Sequence, residues 1–483
     1  MTTEYLIAID QGTTTTRVLA FSLAGDKLGF SQREFTQYYP QNGWVEHDGE
    51  EIWLKTIQCL KDVVDEQKRM GRIALAIGIT NQRETSLLWD RKTGKPVSRA
   101  IVWQDRRTAK FCQSFKDAGH EAMITEKTGL LLDPYFSASK INWLLNEGDM
   151  RVRAEKGDIL AGTIESYLVY RLTGCKAHIS DLSNASRTML CNIMTGEWDD
   201  ELLKLFDIPV NILPHITDNA GNFGVIAEDL PGASIPITGI IGDQQSAAIG
   251  QGCVRPGMIK STFGTGCFVI QNTGTKRYFS KNRLLSTIAY SFGGKISYAL
   301  EGSIFNAGTV TQFLRDRMEF MQDANEAEAI CKSVEDTGGV CFVPAFTGLG
   351  APHWNPNARG LITGLTRNTT QAHIVRAGME SVAYQSEELI QAFTVDIGTK
   401  PDVMRVDGGM SANNWLMQFL ADILDTRIER PSNTEATAYG AVIVAGIGVG
   451  IWKTIEEACQ SWRLEKTFNP TMASVERDAL LVT

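Results

Sequence analysis

Asp10-Gln11-Gly12-Thr13-Thr14-Thr15-Thr16-Arg17 is the stretch on which the fold of this chain turns. Before it, Tyr5–Asp10 is an apolar run ending in an acid. After it, Arg17–Leu23 is a second run, and Ala24-Gly25-Asp26 leads to a third near Lys27–Gln32. Strand, polar turn, strand, Gly-Asp turn, strand predicts a meander. The first turn has two readings. Glycine admits close backbone approach, Thr hydroxyls and backbone N–H groups bind phosphate oxygens, an acid holds Mg²⁺ directly or through water, and Arg17 adds charge. Equally, it is a hairpin loop whose threonines are good strand formers.

The same shape returns in the second half. Met258–Phe263 reads as a strand, Gly264-Thr265-Gly266 as a turn and Cys267–Gln271 as a second strand. Two such turns could hold a polyphosphate from both sides. Each half continues with helices alternating with apolar strands. A helix over Glu50–Val64 has Asp48 as its N-cap and Glu51 three residues on, a capping-box spacing. Ile73–Thr80 follows as a strand. Farther on, Asp402–Asp407 reads as a strand, Gly408-Gly409 as its turn, and Ser411–Leu424 as a helix. Strands alternating with helices predict α/β layers with largely parallel central pairing.

Other candidates sit at strand ends. Asp243, in Ile240-Ile241-Gly242-Asp243-Gln244-Gln245, closes an apolar strand where α/β enzymes place catalysis. It is either a proton acceptor for a substrate hydroxyl or a helix N-cap. Arg83 and Glu84 follow the Ile73–Thr80 strand and are either polyol-binding groups or a solvated ion pair. Gly408-Gly409 before a helix suits a nucleotide or a tight turn. Trp103 and Tyr135 are core aromatics or a ligand wall. No Walker sequence, Rossmann fingerprint or protein-kinase set occurs in the chain.

Composition bounds the classes. The 483 residues exceed one ordinary core and predict at least two large domains, divided near 250 into 1–250 and 251–483. Hydrophobic residues at 43% and charged residues at 21% fit a globular protein. The net charge of −9 makes nucleic acid a poor partner. The apolar run Ala441–Trp452 is too short and too glycine-rich to span a bilayer, so no membrane insertion is expected. The N-terminus has no basic region of the kind that opens a secretory signal. Nine scattered cysteines without a C-x-x-C pair read as reduced thiols of a cytoplasmic protein.

Taken together, these segments resemble the FGGY carbohydrate kinases, within the actin, hexokinase and sugar-kinase superfamily. The resemblance runs from Tyr5 to about Pro470 and is closest to members acting on glycerol. It rests on Asp10–Arg17, Gly43–Asp48, Ile79–Thr85, Ala100–Gln104, Asp133–Ser137, Asn184–Leu190, Gly242–Gln245, Gly264–Phe268 and Pro344–Pro352. It implies an α/β protein of two duplicated actin- and hexokinase-like (ribonuclease H-like) domains with a nucleotide cleft between them.

The implied reaction is transfer of the γ-phosphoryl of ATP to a terminal hydroxyl of glycerol, with Mg²⁺. The resemblance gives Arg83, Glu84, Tyr135, Asp243 and Gln244 to the glycerol hydroxyls, and Trp103 and Phe268 to its carbon chain. It makes Asp243 the general base and places Asp10 and Asp243 at the metal. It gives Thr13, Thr14, Thr15 and Arg17 to the first phosphate loop, Thr265 to the second, and Gly308, Gln312, Gly409 and Asn413 to the adenine nucleotide. It also implies a homodimer or homotetramer. The stretch Glu228–Pro236 carries two acids and no Arg, so it is not expected to bind an anionic sugar-phosphate effector.

Overall fold

The molecule is represented by a computed structural model that describes residues 3–355 and 357–482. It divides into two units, neither continuous in sequence. One comprises Met1–Val254, Ser286–Tyr298 and Glu435–Ser461; the other comprises Arg255–Leu285, Ala299–Thr434 and Trp462–Thr483.

The first unit is built on a five-stranded sheet. Glu4–Gln11, Thr15–Ser22 and Lys27–Glu34 form the expected antiparallel meander. The turn is shorter than expected, because Thr15 and Thr16 already belong to the second strand. On the other side of Glu4–Gln11, Ile73–Asn81 pairs in parallel, and Ile237–Gly242 pairs in parallel beyond it. The register aligns three strand ends: Gln11 and Gly242 both lie opposite Asn81. Every segment that leaves this edge therefore starts from neighbouring carboxyl ends.

Alternation splits the central strands between two cores. Tyr5, Ile7 and Ile9 face Trp53, Leu60 and Val63 of the helix Gly49–Arg69. Leu6, Ala8, Ala76 and Ile241 face Ala441, Val442 and Ala445 of the helix Ala436–Gly448. The apolar Ala441–Trp452 run is thus the cover of a sheet face. Its packing is close: a Cβ on Gly78 would lie 2.1 Å from the Ala441 carbonyl oxygen, and one on Gly239 would lie 2.5 Å from the Ala445 nitrogen. Asp48 caps Gly49–Arg69 by accepting from the Glu50 and Glu51 N–H groups. The capping box is replaced: the Glu51 carboxylate instead accepts from the Thr36 N–H at 3.2 Å.

The second unit repeats the plan. Ile259–Phe263 pairs antiparallel with Cys267–Gly274 and parallel with Val403–Asp407, which pairs parallel with Arg427–Pro431. Thr262 lies opposite Asp407, so the Gly264-Thr265-Gly266 turn and the Gly408-Gly409 turn leave adjacent strand ends. The expected helix from Ser411 begins later. Gly409–Ala412 is a 3₁₀ turn and the α-helix is Asn414–Leu424, with the Asn413 side chain accepting from Leu416 N–H. Among the described residues no helix is long and apolar enough to cross a membrane, and all nine cysteines are free thiols.

Candidate active site

A cluster of buried polar residues of the first unit lies where its three parallel strands end. Ile73–Asn81 is followed by Gln82 and then by Arg83 and Glu84, each only 2% exposed. Glu84 has φ 62°, a conformation that costs a non-glycine residue energy, and Thr85 N–H donates across it to the Arg83 carbonyl at 2.7 Å. The default solvated pair is therefore excluded: both side chains are turned inward.

The Arg83 stem crosses Gly242, where a Cβ would meet Cδ at 2.8 Å. Its Nε stands 3.3 Å from Asp243 Oδ1, and its guanidinium donates to Gln245 Oε1 at 3.1 Å. Asp243 opens the helix Asp243–Gly250, and the Gln244 N–H donates to its Oδ1 at 2.7 Å. At 29% exposure the Asp243 carboxylate is the accessible acid of the cluster. Glu84 Oε1 is 3.9 Å from Arg83 Nε and accepts from Arg187 Nε at 2.7 Å.

Aromatic rings close one side. Trp103 and Tyr135 meet edge-to-face at 5.6 Å, and the Arg187 guanidinium lies 5.7 Å from the Tyr135 ring. Trp103 Nε1 donates to Thr13 Oγ1 at 3.0 Å, so the wall is bonded to the first glycine–threonine turn. Thr14 and Thr15 continue that turn into the second strand. Arg17 is engaged by two acids: Nε and Nη2 by Asp10, and Nη1 by Glu435 at 2.8 Å. The Asp10 carboxylate, followed by Glu435, raises the Arg17 pKa above its usual value. Asp10 is 4% exposed.

In the second unit, the Gly308 N–H donates to the Gly264 carbonyl and the Thr309 N–H to the Thr265 carbonyl. This seats the helix Gly308–Asp316 against the second turn, with Gln312 exposed one turn along. On the other flank a Cβ on Gly408 would lie 2.4 Å from the Phe263 carbonyl oxygen. Only glycine permits this approach, at φ 87°. Next to Gly409, by contrast, a Cβ would meet nothing within 4 Å. Thr265 thus adjoins Gly308 at the start of its helix, Gly409 and Asn413 lie on the turn that leaves the neighbouring strand end, and Phe268 lies half-buried on Cys267–Gly274, opposite Thr262.

Residues 5–250 match the N-terminal domain of the FGGY family of carbohydrate kinases, and residues 259–449 match its C-terminal domain. The chain belongs to this family. It is 52% identical over 478 residues to a glycerol kinase of Ectopseudomonas mendocina, covering 99% of this chain and 97% of that one. Identity to glycerol kinase 1 of Pseudomonas aeruginosa is also 52%, over the same shares of each chain. The solved structure of Plasmodium falciparum glycerol kinase with ADP superposes with a TM-score of 0.94 at 38% identity, covering 100% of this chain and 97% of that one. A ligand-bound xylulose kinase from Lactobacillus acidophilus shares the fold, with a TM-score of 0.88 at 20% identity over 99% and 96% of the two chains.

Three supporting residues of this FGGY chain had no role assigned from sequence. Arg187 is fully buried against Glu84. Lys140 is fully buried, and its ammonium donates to the Tyr135 and Phe136 carbonyls, fixing the aromatic turn. Burial pushes its pKa down to about 8, against the pull of Glu84 and other acids. Their signal was weak: a buried Lys and a surface Lys look alike until the carbonyls they serve are placed.

The third is His47, fully buried, whose pKa burial lowers to about 3. Unfolded, it takes a proton near 6.5; folded, it resists one until about 3. The unfolded state therefore binds more protons between these values, and stability is lost as pH falls below 6.5. From pH 7 to pH 5 this one group should cost about 2 kcal/mol at 1.36 kcal/mol per pKa unit. Urea midpoints at the two pH values check it: the difference should shrink in His47→Gln.

Proposed function

We propose that this chain is an ATP-dependent glycerol kinase that makes sn-glycerol 3-phosphate and ADP. The observation that carries the reading is the alignment of three strand ends, which brings Arg83, Glu84 and Asp243 together with the Gly12–Thr14 turn. High identity to glycerol kinases over nearly the whole chain supports the same substrate.

Glycerol offers three hydroxyls and a short C–H face. Arg83 and Glu84 supply a donor and an acceptor for adjacent hydroxyls, with Tyr135 and Gln244 beside them. Trp103 and Phe268 cover the carbons. A pocket made of buried polar groups rejects an analogue lacking a hydroxyl, because those groups would be left unpaired.

Asp243 takes the proton of the terminal hydroxyl. The freed oxygen pair forms the bond to the γ-phosphorus as the bond to the bridging oxygen breaks, and ADP leaves with that electron pair. Phosphoryl transfer of this kind needs positioning and charge neutralisation more than covalent help. Thr13, Thr14, Thr15, Arg17 and Thr265 hold phosphate oxygens, and Gly308, Gln312, Gly409 and Asn413 hold the adenine nucleotide. Apart from Phe268, the groups given to the polyol and the first phosphate turn lie in the first unit, and Thr265 and the groups given to the nucleotide lie in the second.

Among the described residues no group of three or more His, Cys, Asp or Glu forms a metal cage. Mg²⁺ is carried largely by substrate phosphates and needs only one or two carboxylates. Asp10 and Asp243 are the carboxylates for it, and the ion would offset charge on the transferring group. Nine free thiols and the need for ATP support a cytoplasmic enzyme, and the family resemblance supports a homodimer or homotetramer.

The test is ADP release by purified protein with ATP·Mg²⁺ and a panel of glycerol, erythritol, dihydroxyacetone, xylulose, gluconate and no acceptor. Turnover concentrated on glycerol is expected. Faster turnover of another acceptor, or hydrolysis independent of acceptor, would overturn the substrate assignment.

A further inference from the structure

The first phosphate turn is held from behind by side chains that the proposed reaction does not use. Gln82 Nε2 donates to the Gly12 carbonyl at 3.0 Å, and Gln37 Nε2 donates to the Thr13 carbonyl at 3.1 Å. Between the two amides lies the His47 ring. Its Nδ1 is 3.3 Å from Gln82 Nε2, and its Nε2 is 2.8 Å from Gln37 Oε1.

The donors and acceptors allow one assignment. Gln82 Oε1 is taken by the Thr85 hydroxyl at 2.9 Å, so the Gln82 amide nitrogen faces the ring and the turn. Nδ1 must then be bare and accept. Nε2 faces an amide oxygen and must carry the proton. A ring with one bare and one protonated nitrogen fixes both amides, and each amide fixes one carbonyl of the turn. The ring is itself held edge-on by Phe35, with centroids 4.9 Å apart. Thr85 Oγ1 also accepts from Trp103 N–H at 3.2 Å, and Trp103 bonds back to Thr13. The turn is therefore fastened at Gly12, at the Thr13 carbonyl and at the Thr13 hydroxyl.

We propose that His47, through Gln37 and Gln82, is a positioning residue that sets the Gly12–Thr13 turn for the γ-phosphoryl of ATP. The proposal rests on the reading of that turn as a phosphate loop. The Gly12 N–H is given to the Thr15 carbonyl at 2.9 Å, so holding both carbonyls away from the ligand side leaves the Thr13 and Thr14 N–H groups and the hydroxyls of the turn to face phosphate oxygens. A carbonyl swung toward phosphate would repel it, so a loosened turn damages ATP use before glycerol use.

His47→Phe keeps a ring against Phe35 and removes both hydrogen bonds. It should lower kcat/KM for ATP by about 10- to 100-fold, the range that loss of orientation at a reacting centre produces, and change glycerol KM by less than about threefold. Gln37→Leu removes the bond to Thr13 without touching the ring packing; it should give the same phenotype, and the double variant should be no worse than either alone.

Nitrogen-15 NMR of the unaltered chain should find His47 neutral with its proton on Nε2. If kcat/KM for ATP stays within twofold in both variants, or if the KM values of ATP and glycerol rise together, the positioning role is overturned. A His47 proton on Nδ1 overturns it equally. If the unaltered chain transfers no phosphoryl group, the reading of the site as a kinase fails instead. The clamp is then judged by ATP affinity, which Gln37→Leu should weaken about tenfold and which, if unchanged, overturns the clamp as well.

Discussion

Asp243→Asn should lower kcat by about 10²–10⁴, the usual contribution of a positioned proton acceptor, with little change in glycerol KM. Asparagine keeps the shape of the side chain and an oxygen that accepts from the Gln244 N–H, 2.7 Å away in the unaltered chain. The same oxygen can still face Arg83 Nε. What disappears is the capacity to take a proton. Steady-state ADP release at saturating glycerol and ATP measures it. A kcat within a few-fold of the unaltered enzyme would mean that the hydroxyl loses its proton elsewhere, and the base assignment would fall.

Arg83→Ala should act on the other parameter. The guanidinium is buried beside Asp243, Glu84 and Gln245, and in the proposed reading it also donates to a glycerol hydroxyl. Charge-assisted hydrogen bonds contribute about 1.5–3 kcal/mol each, so glycerol KM should rise roughly 10- to 100-fold while ATP KM moves far less. The fold should survive, because Glu84 keeps Arg187 as a cation at 2.7 Å. Equal increases in the two KM values would place Arg83 in the framework rather than in the pocket.

Much of this site is legible in the sequence because it lies at strand ends. An apolar run broken by a polar residue and a glycine marks the carboxyl end of a buried strand, and Asp10, Asp243 and Asp407 each mark such a place. The Asp48 cap is legible for the same local reason. What sequence conceals depends on distant partners. Arg187 and Lys140 are cations whose burial depends on Glu84 and on the Tyr135 and Phe136 carbonyls. His47 takes its meaning from two glutamines, one ten residues before it and one thirty-five after. The Glu51 carboxylate left the expected cap for Thr36 because the meander brings that N–H within reach. The Arg17 side chain found Glu435, a residue from the far end of the chain.

That last contact belongs to a segment with a particular history. The helix Ala436–Gly448 covers one face of the first sheet, yet it lies near the end of the chain. On a ribosome, the strands Glu4–Gln11, Ile73–Asn81 and Ile237–Gly242 emerge long before it. Leu6, Ala8, Ala76 and Ile241 must wait uncovered while most of the second half is synthesised. The first unit therefore cannot mature domain by domain from its N-terminus, as contiguous domains generally do. A nascent chain stalled before Glu435 should bind chaperones and yield readily to protease, and release of the finished chain should mark the moment the first sheet closes.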